Sequence, residues 1–172
     1  MTSPDLSHYD IFVEQATTWQ LHSQEHLPSV PQTARIEWQR DGLRAVWERI
    51  ETLKMAAAQL NQVGEDAARM VGAAKASLVE LRALHDDQSG PTLANTVSTQ
   101  VARGMAADER RIDRDTKAMP ITIRRRRIER LLELLEAHQR AVNQRLYGIR
   151  DERLDLRAQL RAIDLGLEIG EL

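Results

Sequence analysis

The chain contains no cysteine, which excludes disulfides, thiol nucleophiles and thiolate metal ligands. Aromatic residues make up only 3% of it, too few rings for the thick core that an enzyme of 172 residues usually carries. Glycine and proline are sparse, at 8 and 5, so little punctuates the chain. No apolar run approaches the roughly 18 residues needed to cross a bilayer. The opening Met1-Thr-Ser-Pro-Asp lacks the basic flank and apolar stretch of a secretory signal. These absences predict a soluble, cytoplasmic protein, with export by a signal-less route left open. A net charge of −2 excludes a chain-wide attraction to phosphates.

What remains is a mixture rich in Ala, Leu, Glu and Arg, with 29% charged residues, the composition of long helices and coiled coils. The sequence therefore predicts an all-α protein. The expected form is an elongated coiled coil or antiparallel bundle built as a single domain over residues 1–172. Four segments are expected within it: an acidic helix and Pro-rich turn at 1–30, a long helix at 31–87, a third helix at 92–118, and a basic long helix with an acidic tip at 120–172.

In the first segment Ser3 can cap a helix, Pro4 suits its first position, and Asp5 its first turn. Leu6, Tyr9, Phe12, Val13, Ala16 and Trp19 then recur at three- and four-residue steps. Pro28 and Pro31 end this helix. From Pro31 to His85 there is no proline. Stepping by 3.5 residues from Leu43 gives Val46, Ile50, Leu53, Ala57, Leu60, Gly64, Ala67, Val71, Ala74, Leu78 and Leu81, a seam without one polar side chain. Its small residues at 57, 64, 67 and 74 would let a partner helix approach closely. The stretch Asp86 to Pro91 reads as a turn.

Pro120 is the ambiguous position. A break at 117–123 is preferred over a kink, because Ile121, Thr122 and Ile123 are β-branched and Thr122 can cap the next helix. The last seam runs Ile128, Leu132, Leu135, Gln139, Val142, Leu146, Ile149, Arg153, Leu156, Leu160, Ile163 and Leu167. Ten of these twelve are apolar and bulky. That is more surface than the shorter helices are expected to cover. Self-association, with a dimer favoured, is therefore expected through Leu146, Ile149, Arg153, Leu156, Leu160, Ile163 and Leu167.

Charge is unevenly placed. Residues 1–30 carry Asp5, Asp10, Glu14 and Glu25 with no Lys or Arg, whereas residues 118–163 carry eleven Arg against six acids. The densest cluster, Arg124, Arg125, Arg126 and Arg127 with Arg130, is the candidate partner-binding segment. It can pair with the acidic first helix, a protein partner, or phosphates. It lacks interleaved aromatics for stacking on nucleic-acid bases and any helix-turn-helix context.

His22-Ser-Gln-Glu25-His26 has the H-x-x-E-H spacing of inverzincin zinc peptidases. Two histidines four apart share a helix face, and the glutamate between them can activate a bound water. Those peptidases are larger mixed α/β proteins, and here nothing reads as a strand and no third ligand can be nominated. A solvated helix end is the expectation, and no metal, cofactor or catalytic residue is assigned. Tyr147 and Asp151 match the loose Y-x-x-x-D pattern of type VII secretion substrates, but inside the seam and without a preceding Trp-x-Gly turn. No phosphate-binding loop, dinucleotide fingerprint or nucleophile elbow is present.

In composition the chain resembles small coiled-coil stalk proteins of type III secretion systems, a likeness that covers no motif and assigns no residue. The function expected is a non-enzymatic scaffold, adaptor or assembly protein. A nucleic-acid-binding accessory protein using Arg124 to Arg130 is the alternative, and a zinc-dependent hydrolase using His22, Glu25 and His26 is the third.

Overall fold

A computed structural model describes residues 5–28, 30, 34–89 and 107–166. These residues form three helices and no strand: α1 (Ser7–Glu25), α2 (Trp38–Ser89) and α3 (Ala107–Asp164). Their contacts gather into two compact units, Met1–Gln20 with Arg69–Leu135, and Leu21–Ala68 with Glu136–Leu172. No described helix is long and apolar enough to cross a membrane.

Each helix differs in its limits from the sequence expectation, for a local reason. α1 starts at Ser7, where the Asp5 carboxylate accepts both the Ser7 amide (3.0 Å) and its hydroxyl (2.7 Å). Asp5 thus caps the helix in the role expected of Ser3, which lies outside the described residues. α2 starts at Trp38 rather than near Pro31, and Gly42 interrupts it with φ 83° and ψ 157°. Asp41 closes the preceding turn, its carboxylate accepting the Glu37 amide at 2.9 Å. A left-handed φ is what glycine tolerates and side chains resist, so regular helix begins only after Gly42. At the other end α2 runs on through Ser89, past the expected turn at 86–91; Gly90 and Pro91 lie outside the described residues.

The break expected at 117–123 is absent, because α3 continues through Pro120. Pro120 lies on the exposed side, where the carbonyl left without an amide partner can meet water. Its neighbours Ala118 and Ile121 are buried and hold the chain against the core. Thr122 caps nothing; its hydroxyl donates back to the Ala118 carbonyl at 3.1 Å within the helix. Residues 107–118, assigned from sequence to a separate third helix, are therefore the start of α3. Residues 92–106 lie outside the described residues. Gly166, at φ 64°, stops the chain's helical course by donating its amide to the Ile163 carbonyl at 2.9 Å.

The core of the first unit collects the whole predicted stripe of α1. Leu6, Tyr9 and Ala16 are buried, and Phe12, Val13 and Trp19 pack against them. They meet Val71, Ala74, Leu78 and Leu81 of α2 and Ile121, Ile128, Leu131 and Leu135 of α3. The Tyr9 hydroxyl donates to Glu80 at 3.1 Å. In the second unit Val46, Ile50, Leu53, Ala56 and Leu60 pack against Val142, Ile149 and Leu156. The two helices are antiparallel there, since Trp38 lies near Gln159, Arg49 near Glu152, and Gly64 near Val142. At Gly64 a Cβ would stand 3.6 Å from Val142 Cγ1, so the small residue does place the helices close together. Leu43 alone of the α2 seam is mainly exposed, because it directly follows the Gly42 kink.

Candidate docking surface on the third helix

The arginine cluster is not at a helix start, as the sequence suggested, but well inside α3. Its positive charge therefore does not sit at the amino terminus of its own helix. Around a helix, consecutive residues point in different directions, and the five arginines divide accordingly. Arg124 turns to α1 and donates to Asp10 Oδ2 from Nε (3.1 Å) and Nη2 (2.6 Å). Arg127 reaches the other Asp10 oxygen at 3.5 Å. Arg125 lies 3.4 Å from Glu129, one helical turn on. Arg126 and Arg130 are exposed and have no ion pair or hydrogen bond among the described residues.

The same outer face carries apolar side chains. Ile112, Met119, Ile123 and Leu134 are all substantially exposed, although Ile121, Ile128, Leu131 and Leu135 already fill the core on the opposite face. Ile123, Arg126, Arg127, Glu129, Arg130 and Glu133 line an open depression there. The steps from Ile112 to Met119, Ile123, Arg126, Arg130 and Leu134 are seven, four, three, four and four, the spacing of a helix-packing seam. This second seam escaped the sequence reading, which sought one face per helix. Its signal was present in the apolar residues at 112, 119 and 123.

Four of the residues expected to self-associate belong to the cluster of the second unit. Ile149 and Leu156 are buried in the second unit, and Leu146 and Leu160 pack against the same cluster. Val46, Ile50 and Leu53 of α2 pack in the same cluster. Arg153 is partly buried, and its Nε has no hydrogen-bond partner among the described residues. Ile163 is half-buried, and Leu167 lies outside the described residues. The apolar side chains of this part of α3 that do face outward are Tyr147 and Leu154.

His22, Glu25 and His26 sit exposed at the end of α1. The His26 ring nitrogen Nδ1 bonds the His22 carbonyl at 2.8 Å, and the two rings stack with centroids 4.1 Å apart. That arrangement finishes the helix. Among the described residues no group of three His, Asp or Glu is gathered to hold a metal.

A different histidine lies in the interior. His138 and Ser23, distant in sequence, are both buried and share a hydrogen bond of 3.0 Å between Nε2 and Oγ. A nucleophilic serine needs an open approach for substrate, which this enclosed pair lacks, so it acts as a polar contact fastening the end of α1 to α3. Burial, and secondarily Arg145, hold the His138 pKa below its ordinary 6.5. The unfolded chain then takes up a proton at a higher pH than the folded one. Stability is accordingly full above about pH 6.5 and declines as the pH falls below it toward the depressed folded value. Urea midpoints measured between pH 8 and 5 should show this decline, and His138→Gln should flatten it. An equal slope in the variant would assign the acid sensitivity to other groups.

No protein-family model, characterised protein or solved structure matches the chain.

Proposed function

We infer that this protein is a non-enzymatic helical adaptor that docks a partner protein along the outer face of α3 between Ile112 and Leu134. One observation carries this. A helix whose inner face from Ala118 to Leu135 is buried within its own unit presents a second apolar seam, continuous with two exposed arginines that have no ion pair among the described residues. A surface helix with a single packing role is polar on its outer side, so a second seam is surface kept for another molecule. The apolar residues also separate this face from a nucleic-acid groove, since Met119, Ile123 and Leu134 gain nothing against phosphates.

The test is a photo-crosslinking residue placed at Ile123 in the native host, with the same residue at exposed Ala83 of α2 as control. Discrete higher-mass adducts are expected from position 123, and none from position 83. Adducts at 123 should vanish when Met119 is also replaced by Asp. Identical patterns from the two positions would overturn the assignment.

A further inference from the structure

We propose that the occupant of this face is a helix of another protein, with apolar residues at heptad spacing followed by a cluster of carboxylates. The proposal rests on the docking role inferred above and adds the chemistry of the partner. The face has a direction. Ile112, Met119 and Ile123 offer apolar contacts in its first part, and Arg126 and Arg130 offer two guanidinium groups in its second. Leu134 closes it. An antiparallel or parallel helix matched to this order must place its carboxylates opposite 126 and 130 and its leucine-like residues opposite 112, 119 and 123.

Complementary charge steers such an encounter and fixes its register. Of the acids beside this face, Asp10 is held by Arg124 and Glu129 by Arg125, while Glu133, in the same depression, makes no ion pair with Arg126 or Arg130 among the described residues. A second copy packed in parallel register through this face would set Arg126 and Arg130 against their own counterparts, which opposes that arrangement. An anionic membrane is a poorer fit, because the apolar residues are few, contain no aromatic, and are interrupted by Arg126 and Arg130.

The experiment uses the full chain and three fluorescent probes. Two are stapled helical peptides with leucine at every heptad seam position, one carrying glutamates and one lysines on the flanks. The third is a phosphatidylserine vesicle. The acidic peptide should bind the native protein, and the basic peptide at least tenfold more weakly. In the Arg126→Glu, Arg130→Glu double variant this preference should reverse. Both positions are exposed, so circular dichroism should show the fold unchanged.

Equal binding of both peptides, lost in Met119→Asp with Ile123→Asp, would overturn the acidic partner while leaving a docking surface. Binding of vesicles alone would overturn the helical partner. Binding of neither peptide, with crosslinks still formed at position 123, would likewise reject the acidic helix and retain the docking surface.

Discussion

Leu156→Ala is expected to destabilise the protein by about 2–5 kcal/mol, the usual cost of emptying a buried leucine site. Leu156 is only 3% exposed and packs in the cluster formed by Val46, Ile50, Leu53 and Ile149. Leu156→Glu should cost more, because a carboxylate there has no polar partner in an apolar cluster. Urea denaturation followed by circular dichroism measures both. The contrast is Leu154→Ala, two residues away and mostly exposed, which should shift stability by no more than about 0.5 kcal/mol. If Leu156→Ala left the midpoint unchanged but altered the sedimentation coefficient, Leu156 would face a second molecule and not its own core.

Glu152→Ala carries the second large effect, about 2–3 kcal/mol. Arg49 is a charged side chain only 8% exposed, and its Nε and Nη2 meet the two Glu152 oxygens at 2.6 and 3.1 Å. Removing the carboxylate leaves the guanidinium in the interior without its bidentate counter-charge, which costs far more than the pair contributes in net terms. Glu152 itself is 39% exposed, so the figure sits below that for a fully enclosed pair. Glu152→Gln keeps one acceptor and should lose less. Replacing both residues by methionine should recover much of the loss, since two apolar side chains need no counter-charge. A double variant as unstable as Glu152→Ala alone would show that Arg49 is held chiefly by its other contacts.

The helical class was legible because heptad spacing survives any detail of packing. Every α1 residue of the predicted stripe reaches the core of the first unit, and the α2 seam is buried or half-buried from Val46 to Leu81. What escaped was local. Asp41-Gly42 is a turn dipeptide, and with it the sequence held the signal for the interruption that displaces Leu43. At Pro120 the β-branched run that follows and a threonine able to cap favour a break over a kink. Only the burial of Ala118 and Ile121 shows that tertiary contacts outweigh that preference. The drift of a 3.6-residue helix against a 3.5-residue template buries Leu131 and His138 in place of their neighbours Leu132 and Gln139. No spacing rule pairs His138 with Ser23, or Asp10 with Arg124, since those contacts join helices far apart in sequence. Of the proposed docking face, the sequence supplied the arginines but not which of them the acidic helix would claim.

Gly64 shows how little chemistry a specification can need. The missing side chain at 64 lets Val142 come within ordinary van der Waals distance of where a Cβ would stand. A methyl group fits there in ordinary contact, so Gly64→Ala keeps the packing, and a longer side chain must turn away from Val142 toward the half-exposed edge. The constraint at this position is one of shape alone, with no hydrogen bond or charge to enforce it.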